Sequence, residues 1–119
     1  MQVNRAFAFM YFIMMLCGCN PCKEEVWDKV TSPNGKWLAE TTMRDCGATT
    51  AETLGVSISP VGDKPTAEDI VFVVKHGYSI GLSWIDGTHL KIVCHECAAK
   101  EVLQRKDRLN PIIVTYDTP

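Results

Sequence analysis

"SIGLSWIDGTHLKIVC" spans residues 79–94, and its reading decides the fold. Ile80, Leu82 and Trp84 recur at every second position going in, and Leu90, Ile92 and Cys94 do the same coming out. Period-2 alternation on both sides of an Asp-Gly pair is the pattern of a β-hairpin with one apolar face. Register can be argued from the turn. A two-residue Asp86-Gly87 loop would pair Trp84 with His89 and put the two apolar sets on opposite faces. A three-residue loop, Ile85-Asp86-Gly87, pairs Trp84 with Thr88, Leu82 with Leu90 and Ile80 with Ile92. It keeps the apolar sets together and gives Gly87 the left-handed position of a bulge turn, so this register is expected.

Working outward, "KWLAETTMR" (residues 36–44) alternates Trp37, Ala39, Thr41 and Met43 with Lys36, Leu38, Glu40, Thr42 and Arg44. "EVWDKV" (25–30) precedes it, across the turn cluster "TSPNG". "LGVSISP" (54–60) sets Leu54, Val56 and Ile58 against Ser57 and Ser59, and "DIVFVVK" (69–75) is apolar on both faces, as a central strand would be. "AAKEVLQRKDRL" (98–109) is rich in helix formers and predicts one short helix ended by Pro111, before a last strand in "PIIVTYD" (111–117). The expected fold class is therefore all-β in the main: an antiparallel sheet or small sandwich of about six strands with a short helix near 98–109.

The N-terminal region points to location. "MQVNR" is followed by the eleven apolar residues "AFAFMYFIMML" (6–16). That run is too short for a membrane span, which needs about 20 residues, and has the character of a secretory signal. "LCGC" (16–19) ends it and resembles the lipobox of bacterial lipoproteins. On this reading residues 1–18 are a signal peptide that carries Cys17 away. Cys19 becomes the lipidated first residue, bearing acyl chains such as palmitate, and residues 19–119 form one β-rich extracytoplasmic domain. The expected location is the bacterial cell envelope, with the chain facing the periplasm or exterior, or secretion if the lipobox is not used. The whole chain carries 12 basic and 14 acidic residues, and removal of Arg5 with the signal leaves a net charge of −3. No basic patch suggests nucleic acid. The expected partners are the membrane, through the lipid anchor, and another envelope protein.

With Cys19 lipidated, Cys22, Cys46, Cys94 and Cys97 remain, an even number that reads as two disulfides in an oxidising compartment. A turn at Pro33-Asn34-Gly35 pairs residues whose numbers sum to 68: Val30 with Leu38, Asp28 with Glu40, and Cys22 with Cys46. A two-residue Asn34-Gly35 loop moves this by one position. Cys94 and Cys97 are then left for each other, and so tight a loop should be the easier of the two to reduce.

"CHEC" (94–97) also admits chemistry. A Cys-x-x-Cys after a strand suits a thiol-redox pair, although the 22 residues that follow are too few for a thioredoxin fold. "CNPC" (19–22) and "CHEC", with His76, His89 and His95, could together bind zinc, but lipidation of Cys19 would break the first pair. His89 and His95 alternate with the core side of their strand and should face solvent. Thr49 and Thr50 are loop hydroxyls suited to capping their own backbone. Asp45, Glu52, Asp63, Glu68 and Asp69 read as solvated loop charges without the spacing of a calcium loop. No catalytic constellation or cofactor motif emerges.

At "SPNGKWLA", "RDCGATT" and "WIDGTHLKI" the chain resembles a family of small uncharacterised bacterial lipoproteins and secreted proteins. Those proteins share a Ser-Pro-Asp/Asn-Gly-Lys turn and an Arg-x-Cys-Gly-Ala-Thr-Thr segment. The resemblance covers roughly residues 30–93 and implies a β-rich extracytoplasmic domain without a known activity. Cys94 and Cys97 lie outside it. The reading that results is an envelope lipoprotein that binds a ligand or serves a structural role; the alternative is a thiol-redox or metal-binding protein acting through Cys94 and Cys97.

Overall fold

The computed structural model describes residues 22–47, 52–75 and 79–117. The expected signal at 1–18, the lipidation site Cys19, and Cys17, Thr49, Thr50 and His76 lie outside the described residues. Nine strands are described: β1 (Lys23–Thr31), β2 (Trp37–Asp45), β3 (Thr53–Pro60), β4 (Ile70–Lys75), β5 (Ser79–Asp86), β6 (His89–His95), β7 (Val102–Arg105), β8 (Arg108–Leu109) and β9 (Ile112–Asp117). Sheet A has the order β1-β2-β3-β4-β7, and sheet B the order β5-β6-β9-β8. All the pairings are antiparallel except β6 with β9, which is parallel.

The two sheets stack as a sandwich, the second of the two architectures expected. Ala39, Leu54, Val56, Ile58, Phe72 and Val74 from sheet A meet Leu90, Ile92, Cys94, Ile112 and Val114 from sheet B, all buried in one cluster. These are the inward positions of period-2 strands, as sheet-on-sheet packing requires. Phe72 meets Tyr116 across the layers, with ring centroids 5.4 Å apart. The Tyr116 hydroxyl lies between the carbonyl oxygens of Val71, at 3.2 Å, and Lys106, and donates its one proton there.

The hairpins differ from expectation in register, for the same reason. In β5–β6 the partners are Trp84 with Leu90, Leu82 with Ile92 and Ile80 with Cys94, and Asp86 pairs with His89. The turn is therefore the two residues Gly87-Thr88 and not Ile85-Asp86-Gly87. The Asp86 side chain selects it by accepting from the Thr88 amide at 2.9 Å and the Thr88 hydroxyl at 3.2 Å. These bonds, the Thr88 amide first, hold the Asp86 carboxyl below its ordinary range. Ile85 is bulged out, which restores the shared apolar face that the three-residue loop had been expected to supply.

In β1–β2 the loop runs over residues 33–36, closed by the Ser32 amide donating to the Trp37 carbonyl at 2.8 Å. Asn34 Oδ1 accepts from the Ser32 hydroxyl at 2.6 Å and the Lys36 amide at 3.2 Å. Val30 thus pairs with Ala39 and Asp28 with Thr41, one step from the expected Val30–Leu38 and Asp28–Glu40. A slip between Asp28 and Val26 expels Trp27, and from Val26–Thr42 to Lys23–Asp45 the ladder follows the expected register.

The expected helix at 98–109 is replaced by a single 3-10 turn, Ala99–Glu101, followed by β7 and β8. Helix propensity is a weak prior, and here the free edge of β4 prevails. β7 pairs with β4, and Gln104 Nε2 donates to the Ile70 carbonyl at 2.9 Å. Leu103 is displaced by a slip in this ladder. Three of the four edge strands among those described therefore carry a bulge. The residue at each bulge, Trp27, Ile85 or Leu103, is a large apolar side chain more than half exposed. The fourth edge, β8, is two residues long.

Candidate functional site

Both cysteine pairs are bonded in the structure, Cys22 to Cys46 and Cys94 to Cys97. They sit in opposite environments. Cys22 leads into β1 half-buried, and Cys46 follows β2 exposed. Cys94 and Cys97 belong to the core, at 0% and 4% exposure. The turn that joins them places Glu96 at a φ of 58°, a left-handed conformation unusual outside glycine. This burial counts against the expectation that Cys94–Cys97 is the more reducible bridge, because thiol exchange needs access for the attacking thiolate. Among the described residues no group of three His, Cys, Asp or Glu side chains is placed to hold a metal ion. His95 is exposed, whereas His89 is half-buried with its ring 3.2 Å from the Thr115 hydroxyl. Asp69 departs from its reading as a solvated charge. It is half-buried and accepts from the Thr66 amide at 2.8 Å and the Thr66 hydroxyl at 3.2 Å.

A concavity of about 590 Å³ lies on the outer face of sheet A. Strand alternation builds it. Directly opposed residues form rows across β1, β2, β3 and β4: Glu24–Arg44–Thr53, Val26–Thr42–Gly55–Val73 and Lys29–Glu40–Ser57–Ile70. Small and hydroxylated side chains in the middle of these rows, Thr42, Gly55 and Ser57, leave the depression. One wall is the β3–β4 connection, which contributes Lys64, Pro65, Thr66 and Ala67. The Thr66–Asp69 bonds and the 3-10 turn Ala67–Asp69 fix that wall, and Lys106 Nζ donates to the Glu68 carbonyl at 3.3 Å.

The floor carries an unusual charge. Glu40 is only 8% exposed and lines the cleft, yet its side chain has no hydrogen-bond or ion-pair partner among the described residues. Lys29 stands directly opposite Glu40 in the ladder but is exposed and forms no ion pair with it. Glu24 is engaged by Arg44, at 3.8 Å. Ser57, 7% exposed, lies beside Glu40 on β3. Sequence reasoning identified Glu40 only as an alternating polar position. The available signal was the outward face itself, because Thr42, Thr53, Gly55 and Ser57 are too short for an ordinary solvated sheet face.

No protein-family model, no curated protein and no solved structure matches the chain.

Proposed function

We propose that the chain is a lipid-anchored binding module of the bacterial cell envelope. The anchor on this reading is Cys19, released as the new N-terminus when residues 1–18 are cleaved, and the domain that follows presents a ligand cleft. The observation that carries the reading is the division of the cysteines. Cys22, Cys46, Cys94 and Cys97 are consumed in two disulfides, which persist in oxidising compartments. That leaves Cys17 and Cys19, both within "LCGC" behind an apolar run. The resemblance to small bacterial lipoproteins supports the same assignment. Cys22 begins the bonded domain three residues after Cys19, so the domain would sit close to the bilayer.

The test is the mass of the mature N-terminus together with membrane fractionation. The expected result is a diacylglyceryl-modified Cys19 and retention on membranes through a salt wash, since two acyl chains hold stably where one does not. Cys19→Ala should release the protein. An unmodified wild-type N-terminus in the soluble fraction would overturn the anchor and favour a secreted protein. The thiol-redox and metal alternatives fit the site less well, because Cys94 and Cys97 are bonded to each other within the core.

A further inference from the structure

We infer that the cleft on the outer face of sheet A binds a small aliphatic amine, with its ammonium group against Glu40 and its hydrocarbon part along Val26, Gly55, Ile70 and Val73. This deepens the binding half of the proposed function and does not depend on the anchor. Three observations carry it. Glu40 is only 8% exposed, and its carboxylate has no hydrogen-bond or ion-pair partner among the described residues, so a cationic ligand would meet an unpaired anion. Its side chain lines an open cleft and not a sealed core, so a partner can reach it from solvent. The cleft's volume of about 590 Å³ falls within the roughly 300–1,000 Å³ typical of small-molecule sites.

The rest of the lining fits the same ligand. Val26, Ile70, Val73, Pro65 and Ala67 offer apolar contact, and the Ser57 and Thr42 hydroxyls can accept the ammonium protons that Glu40 leaves. The rim pair Glu24–Arg44 is mutually offset and Lys64 on the wall is exposed to solvent, which leaves Glu40 as the charge at the floor. Gly55 keeps the centre of the cleft open. A Cβ there would meet only the Phe72 carbonyl oxygen at 3.7 Å and Val73 Cγ2 at 4.0 Å, ordinary contacts. The missing methyl is therefore not a steric demand of the sheet.

The test is an amide-shift NMR titration of the full chain with n-pentylammonium, using n-pentanol and pentanoate as its neutral and anionic counterparts. The expected result is shifts at Gly55, Ser57 and Val73, with n-pentylammonium binding about tenfold or more tighter than either counterpart, as for a charge-assisted contact. Glu40→Gln should abolish that preference while leaving the thermal midpoint equal or higher. Gly55→Ala should keep the fold and weaken all three probes. Equal binding of the three probes overturns the amine assignment but leaves a binding cleft. A Glu40→Gln protein that loses thermal stability overturns it too, because Glu40 would then be serving the fold. No shift at the cleft with any probe overturns both this inference and the binding half of the proposed function.

Discussion

The indole nitrogen of Trp84 donates to the carbonyl oxygen of Val30 at 2.9 Å, and this bond joins the edge strand β5 of sheet B to the edge strand β1 of sheet A. At the other side of the sandwich, the Tyr116 hydroxyl bonds from β9 to the Val71 carbonyl on β4. The layers are thus held by polar clasps as well as by the apolar core between them.

Trp84→Phe removes the first clasp while keeping an aromatic ring over the core. The expected cost is about 1 kcal/mol for the hydrogen bond, plus a smaller term for the lost ring area. A lowered urea midpoint at unchanged m-value would report it, with faster amide exchange in β1 than in β6. Equal exchange in the two strands would show that β1 does not depend on this bond.

Tyr116 gives the fold an alkaline limit. Burial, its largest influence, pushes the phenol up to about 12 from an ordinary value of 10. Between those values the unfolded chain releases the proton and the folded chain keeps it. The contribution is therefore fully present below about pH 10 and is lost as pH rises through about 12. Denaturant midpoints measured from pH 9 to 12 should fall more steeply for the wild type than for Tyr116→Phe. Matching slopes would contradict the assignment.

The two disulfides should open in a set order. Mild thiol should reduce Cys22–Cys46 first, since Cys46 is exposed while Cys94 and Cys97 are buried. Cys22–Cys46 closes a loop with a sequence separation of 24, which the chain-entropy model values at about 3.5 kcal/mol. The separation of 3 for Cys94–Cys97 corresponds to about 2 kcal/mol. Differential alkylation across a thiol titration checks the order. Early labelling of Cys94 and Cys97 in folded protein would revive the redox reading.

Deleting Trp27 should leave the fold and both disulfides intact. The ladder pairs Asp28 with Thr41 and Val26 with Thr42, so Trp27 is the extra residue, and its removal joins two stretches already in step. What should change is solubility. A bulge twists an edge strand away from pairing with other chains, and the deletion straightens a nine-residue edge. Light scattering should rise with concentration in the deletion variant while disulfide mapping stays the same. A changed disulfide map would show that Trp27 fixes the register.

Strand identity was legible wherever side chains alternate about one buried face, as in Leu54–Val56–Ile58 and in Leu82–Trp84 against Leu90–Ile92. The facing of Cys22 and Cys46 was legible for the same reason. Single-residue slips were not, because a bulge at Trp27 or Ile85 leaves the apolar sets on the side where a regular hairpin would put them. Residues 102–105 were misread because their helix propensity is local, whereas the β4 edge that recruits them is more than 25 positions away. The cleft escaped notice because it exists only when four strands and the 64–67 wall are brought together.

The placement of β9 bears on when the domain can close. β9 lies between β6 and β8, parallel to β6, and contributes Ile112 and Val114 to the core. For a chain threaded N-terminus first across a membrane, the hairpins can pair early, but the part of the core that Ile112 and Val114 fill stays open until residues 112–117 emerge. Parallel, long-range pairing is intrinsically slow to form. On the proposed export route, a sandwich sealed by its last described strand would stay loose in transit and tighten only on the far side.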